Sequence, residues 1–134
     1  MASIRGSFGS DHTPFVPIAI SSTPGLSTSV DAVVDTGFTG FVQLPAALAQ
    51  RLSLMPRTAA EVEYPDGRLA HVPLAWGTVT LQGATQEGFM HIQQGTDEVI
   101  VGVEFLRLFR KILILSVADG TVLLIDSYAD LVPA

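Results

Sequence analysis

The chain has 134 residues, of which 48% are hydrophobic and 15% charged; this fits one domain with its own core and excludes a disordered polar chain. Seven basic against 13 acidic residues give a net charge of −6, and no basic cluster exceeds Arg110-Lys111. That balance argues against nucleic-acid binding, which draws most of its affinity from phosphate neutralisation.

The absence of cysteine removes disulfides, thiol catalysis and thiolate metal sites together. The mean hydropathy of +0.44 is high for a small soluble monomer, so the apolar surplus belongs to a membrane or to a partner. The longest apolar runs, such as Ile112–Leu115 and Val122–Ile125, fall far short of the roughly 20 residues of a spanning helix. Met1 to Ile20 holds one Arg and is interrupted by Pro14 and Pro17, unlike a signal peptide. The expectation is a cytoplasmic chain, outside the membrane, that associates with a partner.

Short apolar runs punctuated by Gly and Pro predict an all-β domain. Phe15–Ile20 reads as a strand that Pro17 places towards a sheet edge. Ser29–Asp35 and Phe41–Leu44 follow as strands. Pro45 to Leu52 changes period: Pro suits a first helical position, and Leu48 and Leu52 lie four apart. Glu61–Tyr64 and Arg68–Leu74 flank Tyr64-Pro65-Asp66-Gly67-Arg68, a hairpin turn in which Pro presets the backbone and Gly accepts positive φ. Thr78–Gln82 and Thr85–Gln93 predict a second hairpin around Gly83. Val99–Val101 is a short buried strand ending at Gly102, and Val103–Phe109 a helix. Lys111–Val117 and Thr121–Ile125 close the domain as a hairpin over Ala118-Asp119-Gly120.

One tripeptide carries chemistry: Asp35-Thr36-Gly37. Alone, Asp35 reads more simply as a strand-end turn residue. Its context is more specific. Ala32-Val33-Val34 delivers it on a buried strand, Phe38-Thr39-Gly40 follows, and Val99-Ile100-Val101-Gly102 leads into a helix some 60 residues later.

That order resembles the retropepsin-like aspartic proteases, and most of all their small bacterial single-domain members. The resemblance runs from about Ile4 to Ile125 and is most specific over Val33–Gly40. It implies one domain over residues 1–134, a closed β-barrel of the acid-protease fold with one or two short helices, and a homodimer. It implies hydrolysis of a polypeptide by a water held between two carboxylates, with no cofactor and no metal. Because the chain has one Asp-Thr-Gly, both carboxylates are Asp35, one from each subunit, and a two-fold dimer is the commonest oligomer. Thr36 would hydrogen-bond across the dimer axis, and Gly37 would turn beneath the carboxylate. Phe38 and Thr39 continue the active-site loop. Tyr64, Pro65, Asp66, Gly67 and Arg68 would be the tip of a flap, and Gly102 would allow close packing under the loop. Two positions depart from the viral pattern, where an Asp and an Arg form an ion pair: Thr39 and Val103 stand there instead. Both partners are missing together, so no buried charge is orphaned.

The remaining polar residues read more simply. Asp31 lies on the same strand face as Asp35 but about 13 Å away at 3.3 Å per residue, too far to share a proton. Glu61 and Glu63 form a solvated face. His12, His71 and His91 show no metal-ligand spacing, although His71 and His91 could meet across strands. Gly6–Ser10 lacks the Lys of a phosphate loop, and no G-x-S-x-G is present. Trp76 reads as core or interface packing. Two further functions fit the same residues: a non-catalytic dimeric module of this fold that binds an extended peptide in the cleft, and a monomeric β-barrel carrying a small ligand.

Overall fold

The computed structural model describes residues 3–23 and 26–131. Period-two alternation builds most of the strands. In β3 (Pro14–Thr23), Val16, Ile18 and Ile20 face inward, and in β4 (Leu26–Val34) Ala32 and Val34 do the same; all five are at most 5% exposed. Two short strands precede them, β1 (Ile4–Arg5) and β2 (Ser7–Phe8), neither of which the sequence pattern announces. After β5 (Val42–Pro45), the extended backbone of Pro45 starts α1 (Ala46–Arg51), which buries Leu48 and Ala49. Then come β6 (Pro56–Glu63), β7 (Leu69–Leu81), β8 (Ala84–Gln93) and β9 (Ile100–Val101). Helix α2 (Val103–Phe109) leads to β10 (Ile112–Ser116), β11 (Thr121–Ile125) and a single 3-10 turn at Tyr128–Leu131.

The described residues thus form a mostly-β fold with few, short helices. The larger sheet runs β2-β3-β4-β9-β5-β8-β7-β6, and β3 also pairs with β7, so that the succession β3-β4-β9-β5-β8-β7 returns to its start. A smaller sheet, β1-β11-β10, joins it where the Gly6 N–H donates to the Val122 carbonyl at 2.8 Å. One contiguous core fills the interior. Phe105 of α2 is fully buried, stacked on Phe41 and tilted against Phe109. Burying a side chain of that size contributes about 2–3 kcal/mol, which anchors a helix too short to persist alone. No helix among the described residues is long and apolar enough to cross a membrane.

Three expectations are corrected. Pro17 does not place its strand at an edge: β3 has β4 on one side along its length. On its other side β2 pairs with Pro14 and Phe15, and β7 with Ala19–Ser21. Pro17 falls between those two ladders, where its missing N–H costs no bond. The two strands expected around Trp76-Gly77 are one, β7, of 13 residues. Gly77 marks close packing there and no turn, since a Cβ on it would lie 2.7 Å from Met90 Sδ. His71 pairs with Glu61, and Leu74 is the residue opposite His91, so the two histidines do not meet across neighbouring strands.

Candidate active site

Strand β9 lies between β4, to which it is parallel, and β5, to which it is antiparallel. Its two residues are therefore bonded from both sides, and the chain on each side emerges from the sheet at one level. The Asp35 N–H donates to the Val101 carbonyl at 3.0 Å and ends β4. A turn follows. The Phe38 N–H donates to the Asp35 carbonyl at 3.1 Å. The Gly37 N–H donates to Asp35 Oδ1 at 2.8 Å, which orients the carboxylate. A Cβ on Gly37 would sit 3.0 Å from that oxygen. Asp35 and Thr36 are exposed at the top of the loop.

Gly102 lies buried underneath. A Cβ there would come within 2.1 Å of the Phe38 carbonyl oxygen and 2.6 Å of that of Gly40. The same two carbonyls accept hydrogen bonds from Val103 and Glu104, at 2.9 and 3.2 Å. The start of α2 thus braces the loop through backbone bonds, at the level where Thr39 and Val103 lack the ion pair of the viral pattern.

The β6–β7 hairpin rises opposite. Tyr64 and Arg68 close its turn, the Tyr64 N–H donating to the Arg68 carbonyl at 2.8 Å, and Gly67 takes φ +86°. Arg68 Nε donates to Asp66 Oδ2 at 2.6 Å, and its guanidinium lies 5.4 Å from the Tyr64 ring centre. The acidic tip is therefore neutralised locally. Both groups are solvated, so the pair stabilises the turn by at most about 1 kcal/mol. Between loop and hairpin lies a cleft of about 650 Å3. Gly37, Phe38, Thr39 and Tyr64 line it; Pro65–Arg68 form the turn beyond it. Gln43, Val62, Val72, His91 and Gln93 also line it. Only partner-strand register brings these five there, and no motif marks them.

His91 is the unusual member. Its ring meets Phe38 edge-on, with centres 5.1 Å apart, over Gly40, where a Cβ would be 3.0 Å from the imidazole. Its Nδ1 is buried with no hydrogen-bond partner. Burial holds its pKa below the ordinary 6.5, against a smaller opposing contribution from the Val42 backbone. Below pH 6.5 the unfolded chain therefore takes up a proton that the folded chain resists, and stability falls as pH drops towards the lowered pKa. Urea unfolding at pH 7.5 and pH 5 should show this loss, and His91→Leu should reduce it. An identical pH dependence in both proteins would contradict it.

No family model matches the chain. It is 30% identical over 111 residues to an uncharacterized protein of Archaeoglobus fulgidus, covering 75% of this chain and 86% of that one, and belongs to one family with it. The retropepsin-like aspartic protease of Rickettsia conorii superposes with a TM-score of 0.64 at 14% identity, over 92% of this chain and 90% of that one. The chain has the retropepsin-like fold. The EIAV protease, in complex with the inhibitor HBY-793, gives a TM-score of 0.62 at 17% identity, over 81% of this chain and 99% of its own. The retroviral protease-like domain of Ddi1 from Leishmania major gives 0.54 at 18%, over 87% and 97%. In this retropepsin-like chain the 35–40 loop and the β6–β7 hairpin face each other across the cleft.

Proposed function

We propose that the chain is an aspartic endopeptidase whose active site is completed by a second copy of itself. The observation that carries this reading is the placement of Asp35. It stands exposed just past the end of β4, its carboxylate held by the N–H of Gly37, the residue at which the loop begins to line the cleft under the β6–β7 hairpin. One chain offers one such carboxylate, and hydrolysis without a covalent intermediate needs a base and an acid together.

Two Asp35 carboxylates across a two-fold axis meet that need. Like charges at close range cannot both ionise, so the pair shares one proton. The ionised member takes a proton from the water as it attacks the peptide carbonyl carbon. The protonated member gives its proton to the carbonyl oxygen, forming the tetrahedral diol. Collapse of the diol expels the amine, which leaves with a proton returned through the dyad. Thr36, exposed beside Asp35, bonds across the axis and holds the two loops in register. The hairpin tip closes over the peptide and excludes water. With β3-β4-β9-β5-β8-β7 as its wall, each subunit is a closed barrel.

Incubation with denatured protein substrates from acid to neutral pH should show cleavage that a transition-state-type aspartic protease inhibitor blocks. The rate profile should be bell-shaped, set by the pair and by neither carboxylate alone. Peptide binding with no cleavage at any pH would leave a binding module of the same fold and overturn the enzymatic reading.

A further inference from the structure

A second cavity, of about 430 Å3, adjoins the cleft. Four residues, Thr39, Gly40, Ala60 and His91, belong to both walls. The cavity extends from there along the outward face of β7 and β8 to α2, and its volume is that of a small-ligand site. Trp76 and Phe89 stand directly opposite each other in the β7–β8 register, edge to face with centres 5.0 Å apart. Each is 40% exposed, an unusual state for two adjacent large aromatics when the interior has a continuous core. Leu74 and Leu108 complete the apolar wall.

Charge at the rim is uneven. On α2, Glu104 and Arg107 pair with each other. Glu87, on β8 beside Phe89, is exposed and takes part in no ion pair among the described residues.

We propose that this cavity is an outer subsite that captures a bulky aromatic side chain of the polypeptide substrate, at a position away from the scissile bond. The assignment rests on the peptidase reading, because a chain lying in the cleft is what passes the shared wall at Gly40 and Ala60. An entering ring completes an aromatic cluster with Trp76 and Phe89 in the offset or edge-on geometry that such rings prefer. Glu87 at the mouth favours a Lys or Arg next to that aromatic and disfavours an acidic neighbour.

Trp76 is the one tryptophan of the chain, so its emission reports occupancy directly, whether or not anything is hydrolysed. Full-length Asp35→Asn protein is titrated with peptides that place one Phe at successive positions in an otherwise Ala/Gly/Ser chain. The expected result is a saturable emission change for one or two placements, with binding at least about 10-fold weaker when that Phe is Ala. Phe89→Ala should remove the preference, and Glu87→Lys should reverse the preference for a basic neighbour. Equal responses to Phe and Ala peptides, or none, would overturn the subsite. So would equal affinity for N-acetyl-phenylalanine amide, which would assign the cavity to free small aromatics, or an emission change on concentrating the protein alone, which would assign it to a second copy. The two readings fail separately. A parent protein that cleaves nothing while Trp76 responds to Phe peptides loses the peptidase and keeps the subsite; cleavage indifferent to the distal Phe, with silent emission, does the reverse.

Discussion

Asp35→Asn is expected to lower kcat/KM for any cleaved peptide by at least about 10^3-fold, because acid–base catalysis of this kind typically supplies 10^2–10^4-fold and one substitution removes both the acid and the base of the proposed symmetric dimer. Structure should survive. Asn has the same shape, its side-chain oxygen can still accept the Gly37 N–H bond that Asp35 Oδ1 accepts at 2.8 Å, and the position is exposed. Steady-state kinetics and urea denaturation on the same preparations test both halves of the statement. Full activity in the variant would remove Asp35 from the chemistry; loss of folding along with activity would make the residue structural.

Gly102→Ala should cost about 2–3 kcal/mol of stability, the upper part of the range for overpacking a filled interior. The added methyl would be 2.1 Å from the Phe38 carbonyl oxygen, and that carbonyl is already held by Val103 at 2.9 Å. Relief requires the 35–40 loop to rise from the start of α2, which breaks the bracing bonds. A displacement of about 1 Å at a catalytic group costs on the order of 10^2-fold in rate. The midpoint of urea unfolding should therefore fall at constant m-value, and kcat/KM should fall with it. A variant with an unchanged midpoint would show that the loop does not depend on this contact.

What could be read from the sequence was local. Ala32–Gly40 carries its strand, turn and carboxylate within nine residues, and the structure shows that strand and that turn. The 64–68 turn rests on Pro65 and Gly67, and α2 begins and ends at the expected residues, Val103 and Phe109. Long-range pairing was not legible. Pro17 looks like an edge residue until β2 and β7 are known to pair on either side of it. The interval between Leu74 and Thr78 reads as a break between two strands until the close packing of Gly77 on Met90 within one strand is known. Tyr64 belongs to the cleft by its turn, whereas Gln43, His91 and Gln93 reach it only because β5 lies parallel to β8. Trp76 reads from the sequence as core or interface packing; its 40% exposure beside Phe89 sets the core aside and follows from a register that no short motif encodes.

In the proposed dimer, each active site needs Asp35 from two chains. Parent and Asp35→Asn proteins, mixed in equal amounts, allowed to exchange subunits and assayed at fixed total concentration, test it most directly. If every dimer with a variant chain is inactive, random pairing leaves about one quarter of the parent activity. Activity of one half, linear in the fraction of parent chain, would mean that each chain works alone and would contradict the shared dyad.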